Sequence, residues 1–250
     1  MIKILLHGCN GKMGQAVTNA VNDRNGFVIT CGVDPFGTNS YNYPVYKSFA
    51  DVNEEVDVII DFSNPALISS LCDFAENKKI PAVICTTGLI DKQKERVNLL
   101  SKAVPVFSSG NMSLGINLLI ELCKKASLVF GDAFDVEIIE KHHNLKLDAP
   151  SGTALMIADG INDVRDDDPR YVYDRHAYRI KRTKNEIGIH SVRGGTIVGE
   201  HSVIFAGNDE VLTITHQAQS KSLFATGAVS ASQFIVSCSP GIYDMSDMLK

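Results

Sequence analysis

The chain has 250 residues, of which 44% are hydrophobic and 21% charged, and 24 Lys and Arg against 29 Asp and Glu leave a formal net charge of -5. That balance excludes a disordered chain and an obvious nucleic-acid binder, and it leaves room for one large or two modest domains. No stretch approaches the roughly 20 apolar residues of a membrane span, and Met1-Ile2-Lys3 runs straight into a strand-like segment instead of a signal peptide. The expected location is the cytoplasm, with no membrane partner. The six cysteines (Cys9, Cys31, Cys72, Cys85, Cys123 and Cys238) show no clustered spacing, which predicts buried, reduced thiols.

The first third alternates between two periods. Ile2 to Leu6 is a short apolar run, a glycine-rich turn spans Gly8 to Gly14, and residues 13–23 read as a helix with Met13, Val17, Ala20 and Val21 on one face. Phe27 to Val33 is a second strand that ends at Asp34-Pro35, and a polar surface loop occupies 36–48. Asp57 to Phe62 is a third strand, followed by a helix opening at Asn64-Pro65, where proline suits the first turn. Ala82 to Cys85 and Val104 to Phe107 are the fourth and fifth strands, separated by a charged helix near 91–102. Short β-branched runs separated by helical segments predict βαβ units and a parallel sheet buried on both faces.

After about residue 112 the pattern changes. A long helix is expected over 114–130, a strand over 134–141, and a helix after Pro150 with Ser151 as its cap. Residues 163–186 carry many charges of both signs and read as a long exposed connection. Strands follow near 187–193, 196–206 and 210–217, with Gly194-Gly195 and Gly207-Asn208 as hairpin turns and hence antiparallel pairing. Residues 222–237 return to helix. The fold class is therefore α/β: a Rossmann-type doubly wound parallel sheet plus a second, α+β domain with a mixed or antiparallel sheet.

Gly8-Cys9-Asn10-Gly11-Lys12-Met13-Gly14 lies between the first strand and the first helix, where backbone N–H groups and the helix dipole receive a pyrophosphate. Its spacing is G-x-x-G-x-x-G, with Asn10 in place of the usual middle glycine, and a plain tight turn is the alternative. Asp34, 20 residues beyond Gly14, stands where an acid accepts bonds from a ribose; a turn acid before Pro35 is the bland reading. Thr86-Thr87-Gly88 and Ser109-Gly110-Asn111-Met112 end the fourth and fifth strands, at the edge where ligands of open α/β sheets bind. The densest segment runs from Glu137 to Thr153 and holds His142, His143 and Lys146 before the Ser151-Gly152-Thr153 helix start. It lacks a third metal ligand at suitable spacing, so no metal is expected. A titratable acid, a fixed cation and an anion-binding helix start suit protonation of a small acidic substrate held by its carboxylates.

On these residues the sequence resembles the 4-hydroxy-tetrahydrodipicolinate reductase (dihydrodipicolinate reductase) family of bacterial lysine and diaminopimelate biosynthesis. The likeness runs end to end: the glycine turn, D-F-S-N-P, T-T-G, G-N-M-S-L-G-I-N, the block from Glu137 to Ala154, V-G-E-H and the closing F-A-x-G-A. It implies an NAD(P)H-dependent oxidoreductase that reduces a dicarboxylate, with a dinucleotide-binding domain over 1–112 completed by a C-terminal helix from 221–250. A substrate-binding and oligomerisation domain would fill 113–220, and the assembly would be a homotetramer. His142 would be the proton donor and Lys146 its partner acid and carboxylate contact, with His143, Gly152 and Thr153 binding substrate. Cofactor contacts would fall on Gly8, Cys9, Asn10, Gly11, Lys12, Met13, Asp34, Cys85, Thr86, Thr87, Ser109, Gly110, Asn111 and Met112.

The chain departs from the family at Asn10, at Pro35 where some members carry an arginine for the 2′-phosphate, at Ser109 to Met112, and at Lys221 where an arginine is common. Asp34 opposes a 2′-phosphate and Pro35 supplies no cation, so NADH is the expected preference, with NADPH usable. Two alternatives stand beside this reading. One is another Rossmann reductase of amino or imino acids, of the aspartate-dehydrogenase type, and the other is a non-enzymatic nucleotide sensor.

Overall fold

The computed structural model describes residues 1–36, 41–177 and 179–249. They form two compact units, Met1–Met112 with Ser222–Lys250, and Ser113–Lys221.

The first unit begins with β1 (Ile2–His7), α1 (Lys12–Asn22), β2 (Phe27–Val33), β3 (Val45–Tyr46) and β4 (Val58–Asp61). It continues with α2 (Ile68–Lys78), β5 (Ala82–Ile84), α3 (Asp91–Leu100) and β6 (Pro105–Ser108). All pairings are parallel, and the strand order is β3-β2-β1-β4-β5-β6, with one more strand beyond β6. This is the doubly wound order, and it reverses between β1 and β4, the position where such sheets open a ligand crevice. Strand alternation divides the core. Ile4 and Leu6 face one helical layer with Val17 and Val21, whereas Leu5 faces Leu71, Val97 and Leu100 on the other. Both faces are covered, which is why these strands read as unbroken apolar runs.

Residues 37–40 of the expected surface loop lie outside the described residues. Its later part holds β3, a two-residue edge strand against β2 and too short to show a period.

The second unit contains α4 (Leu114–Phe130), β7 (Asp135–His142), α5 (Gly152–Asn162), β8 (Arg170–Val172), β9 (Glu186–Arg193), β10 (Gly199–Ala206) and β11 (Val211–Ala218). Its sheet runs β11-β10-β7-β9-β8. The β10–β11 hairpin forms at Gly207-Asn208 as expected, with Gly207 N–H donating to the Glu210 carbonyl at 2.9 Å. The hairpin expected at Gly194-Gly195 does not form. β9 lies parallel to β7, β10 antiparallel to it, and the two strands flank β7 without pairing to each other. β7, whose residues alternate half-buried and buried, pairs along both edges, with β10 and β9, and takes the central place. The glycine pair therefore carries the chain across the end of β7, where Gly194 N–H donates to the His142 carbonyl at 2.9 Å. α4 and α5 cover one face through Leu119, Cys123, Ile157 and Ile161 against Ile138, Ile187 and Val203.

The 163–186 connection is not simply exposed. It contains β8 and ends at Glu186, 3% exposed, which takes hydrogen bonds from Thr183, Arg170 and Arg175.

The chain returns to the first unit as α6 (Ser222–Ile235), β12 (Gly241–Tyr243), which pairs parallel to β6, and α7 (Met245–Met248). The segment expected as one C-terminal helix is thus interrupted. Pro240 disfavours helix at the residue before it, and a strand follows.

Candidate active site

In the first unit, five loops leave the carboxyl edge of one parallel sheet. Gly8, at the end of β1, has φ +79°, and a Cβ there would stand 2.6 Å from the Phe62 carbonyl oxygen. A Cβ on Gly14 would stand 2.3 Å from the Gly8 carbonyl oxygen. Both positions exclude a side chain, so the turn and α1 close on one another as a dinucleotide turn requires. His7 and Asp61, 1% and 0% exposed, lie beneath it with Nδ1 and Oδ1 2.8 Å apart, though not aligned as a hydrogen bond. Asp61 Oδ1 instead accepts Ser63 O–H at 2.5 Å and fixes the loop that packs on Gly8.

Asp34 does more than the sequence suggested. Its carboxylate is buried and accepts Asn10 N–H at 3.0 Å and Phe36 N–H at 3.0 Å, so it clasps the glycine turn to the end of β2. A carboxylate has about four lone-pair sites, which leaves capacity for a ribose. Cys9 and Cys85 are buried, and burial first raises both thiols, Cys9 to about 12, so neither is a nucleophile at neutral pH.

These residues fit a dinucleotide. α1 opens at Gly11 with no side chain capping it and no acid in its first turn, which carries Lys12 and Met13. The Thr86 hydroxyl is buried with no hydrogen-bond partner among the described residues, and Thr87 beside it is exposed. Ser109 Oγ closes its loop on the Asn111 carbonyl at 3.0 Å, between exposed Gly110 and buried Met112.

In the second unit, the histidine block gathers a charged cluster at the end of β7. His142 Nδ1 lies 2.6 Å from Glu140 Oε2, and Glu140 is fully buried. Arg193 binds both Glu140 oxygens, at 2.8 and 2.7 Å, and the Asp148 carbonyl at 2.6 Å. His201, on β10, stands edge-on to His142 with ring centres 5.2 Å apart, and its Nε2 meets Ser151 Oγ at 3.1 Å. Ser151 caps α5 by accepting Ala154 N–H at 3.2 Å, while its own N–H donates to Glu140 Oε1 at 3.1 Å. Gly152 is exposed at the start of α5, with nothing near a Cβ, and Thr153 and His143 are half-buried. Lys146 Nζ pairs with Asp148 Oδ1 at 2.7 Å. The cluster thus offers the imidazoles of His142 and His143, the Lys146 ammonium and the α5 N-terminus within one strand–loop–helix segment. Among the described residues no three His, Cys, Asp or Glu side chains are placed to hold a metal ion.

The pattern of the N-terminal part of dihydrodipicolinate reductase matches residues 2–112, and that of its C-terminal part matches residues 115–249. The chain belongs to the dihydrodipicolinate reductase family. It is 52% identical to the 4-hydroxy-tetrahydrodipicolinate reductase of Caldanaerobacter subterraneus subsp. tengcongensis, over all of this chain and 99% of the relative. It is 47% identical to the Clostridium tetani enzyme of that name, over all of this chain and 97% of that one. A solved dihydrodipicolinate reductase from Paenisporosarcina sp. TG-14, described as dipicolinate-bound, superposes with a TM-score of 0.84 at 25% identity, covering 99% of each chain. A Corynebacterium glutamicum myo-inositol dehydrogenase, at 14% identity and a TM-score of 0.62 over 96% of this chain and 90% of its own, shares the fold alone.

Membership in the dihydrodipicolinate reductase family leaves some of the cluster unexplained by motif. The sequence singles out His142, His143, Lys146, Gly152 and Thr153 as candidates but not Glu140, Arg193 and His201, which the structure places beside them. Glu140 sits in the quoted block and His201 in V-G-E-H, but Arg193 lies 53 residues from Glu140, with no local sign of the pairing.

Two of these groups set an acid-stability prediction. Burial opposes ionisation of Glu140, but the Arg193 and His142 hydrogen bonds outweigh it and hold the carboxyl down to about 2, against an ordinary 4.5. Burial first, then the charge of His142, lowers His201 to about 4 from an ordinary 6.5. In each window the unfolded chain binds the proton and the folded chain does not, so stability rises with pH. On acidification it falls first between pH 6.5 and 4 and again between 4.5 and 2. Each step costs on the order of 2 kcal/mol at about 1.4 kcal/mol per pH unit, with screening discounted. Urea midpoints across this range should show both steps, and His201→Asn should flatten the first alone. An unchanged first step in that variant assigns it to another group.

Proposed function

We propose that the chain reduces 4-hydroxy-tetrahydrodipicolinate to tetrahydrodipicolinate, in lysine and diaminopimelate biosynthesis. The observation that carries this reading is that His142 and the α5 cap Ser151 share the Glu140 carboxylate, with the Lys146–Asp148 pair on the loop between them, in a chain with full-length relatives of that name. The dipicolinate described on the Paenisporosarcina relative is a ring dicarboxylate, which supports a substrate of that class. Reduced nicotinamide, when bound, supplies a hydride to C4 of the dehydrated substrate ring.

The chain's own residues do the rest. His142 holds a proton for the carbon next to the one reduced. Lys146, His143 and the N–H groups of Gly152 and Thr153 receive the carboxylates, with Asp148 as the resting partner of Lys146. Gly8 to Met13, Asp34, Cys85 to Thr87 and Ser109 to Met112 hold the dinucleotide. We place the protein in the cytoplasm as a homotetramer, with neither nucleic acid nor membrane as partner. The free state of all six cysteines supports the first. The second sheet supports the tetramer, because Ile139, Ile204, Val192 and Val211 lie on its face away from α4 and α5.

Oxidation of NADH tests the substrate. Turnover with the condensation product of pyruvate and aspartate semialdehyde, but not with oxaloacetate and ammonia, supports this reading. The opposite result replaces it with an amino-acid dehydrogenase, and dinucleotide binding with neither turnover points to a sensor.

NADH is the preferred cofactor in this proposal. Asp34 bonds the ribose hydroxyls of NADH but repels a 2′-phosphate, Pro35 adds no cation, and Lys12 and Lys47 are the nearest substitutes in sequence. A lost ribose bond beside an unpaired carboxylate costs about 1–3 kcal/mol, or roughly 5- to 150-fold, and the lysines place the expected ratio in the lower half. The kcat/KM ratio of NADH to NADPH measures it. Asp34→Asn, which keeps an acceptor for Asn10 and drops the charge, should bring the ratio towards unity. A wild type that favours NADPH removes Asp34 as the discriminating residue.

A further inference from the structure

The proposed acid, His142, is held by a carboxylate that its own reaction does not consume. Glu140 is two residues upstream on β7, so both side chains point to the same face of the sheet. Its carboxylate is fully buried, and four donors converge on it: His142 Nδ1, two guanidinium N–H groups of Arg193, and Ser151 N–H. Arg193 is the register partner of His142 on β9, so sheet pairing itself delivers the guanidinium. Across the ring, a Cβ on Gly199 would come within 3.1 Å of His142 Nε2, so a larger residue on β10 would crowd that nitrogen.

We infer that Glu140, clamped by Arg193, is the positioning residue of His142: it accepts the hydrogen bond of Nδ1–H and leaves Nε2 as the nitrogen that gives its proton to substrate. This inference rests on His142 being the acid. When the carbon next to the reduced one accepts the Nε2 proton, the electron pair of that N–H bond stays on the ring. His142 becomes the neutral Nδ1–H tautomer, the form Glu140 stabilises, and solvent water returns the proton to Nε2. Arg193 keeps Glu140 ionised, so the carboxylate orients the ring without taking its proton. Among the described residues, His201 from β10 stands edge-on to the ring, and Lys146 and Asp148, paired with each other, come from the loop after β7. None of them is hydrogen-bonded to Nδ1.

Nitrogen-15 NMR of the wild type, labelled in histidine, reads the tautomer directly and needs no variant. The expected signature is a protonated Nδ1 in a short hydrogen bond when the ring is neutral. A neutral ring protonated at Nε2 overturns the inference even if His142→Ala is inactive, whereas an active His142→Ala overturns the underlying assignment instead. Glu140→Gln should lower kcat by about 10²-fold with KM for substrate and NADH changed by less than about 3-fold, and the Nδ1–H signature should vanish. Glu140→Asp should recover part of kcat. A Glu140→Gln enzyme with wild-type kcat, or with loss confined to KM, overturns the inference.

Discussion

His142→Ala is expected to lower kcat by about 10²- to 10⁴-fold while KM for the dicarboxylate changes by less than about 3-fold. The split follows from where the ring sits. His142 is 9% exposed at the end of β7, while the carboxylate-binding groups assigned to Lys146, Gly152 and Thr153 lie on the following loop and helix. Removing the imidazole removes a proton donor and leaves the groups that hold the ground state, so the loss belongs to the transition state. The fold should survive the change. Glu140 loses one of its partners but keeps the bidentate Arg193 and the Ser151 N–H, so the cost is about 1–3 kcal/mol, and circular dichroism should stay that of the wild type. NADH affinity, read from nicotinamide fluorescence, should not move, because no dinucleotide contact is assigned to the second unit. Retention of more than half of the wild-type kcat leaves the acid to be found elsewhere.

How much of this was legible in the sequence depends on the length and burial of each element. The parallel half was legible because a strand buried on both faces reads as an unbroken apolar run, as Val58 to Ile60 and Ala82 to Ile84 do. β3, β8 and β12 were not, since two or three residues carry no period and tertiary pairing alone defines them. Gly194-Gly195 shows the limit of turn chemistry. A glycine pair announces that the chain turns, but which strands then pair is decided by β7, which takes the centre of the sheet. The site divides the same way. Its local half, from His142 to Thr153, is one continuous motif, and the resemblance gave those residues their roles. Its non-local half, Arg193 and His201, arrives through sheet register and has no signature in the linear chain.

The glycine turn gives the last and largest test on the cofactor side, because Gly11 and Gly14 should fail in different ways. Gly14→Ala places a methyl group 2.3 Å from the Gly8 carbonyl oxygen and 2.5 Å from the Cys9 carbonyl oxygen, both backbone atoms that cannot rotate away. α1 must move off the turn. Overpacking of this kind costs roughly 2 kcal/mol, or about 4–8 °C of Tm, and it displaces the N–H groups of the helix start as well. Gly14→Ala should therefore lose both stability and NADH binding. Gly11 has an ordinary φ of -70°, is exposed, and would bring a Cβ only to 3.3 Å of the Gly8 carbonyl oxygen. Gly11→Ala should keep Tm within about 2 °C of wild type, because the shift needed is a few tenths of an ångström. Yet Gly11 caps α1, where a pyrophosphate needs bare backbone, and a methyl group there holds the phosphates off the N–H donors. One lost charge-assisted bond of about 1.5–3 kcal/mol weakens NADH by roughly 10- to 150-fold. Titration of NADH fluorescence against each variant, with Tm measured on the same samples, separates the two effects. If Gly11→Ala binds NADH as the wild type does, the phosphates do not sit on the start of α1, and the turn is then only a tight connection between β1 and its helix.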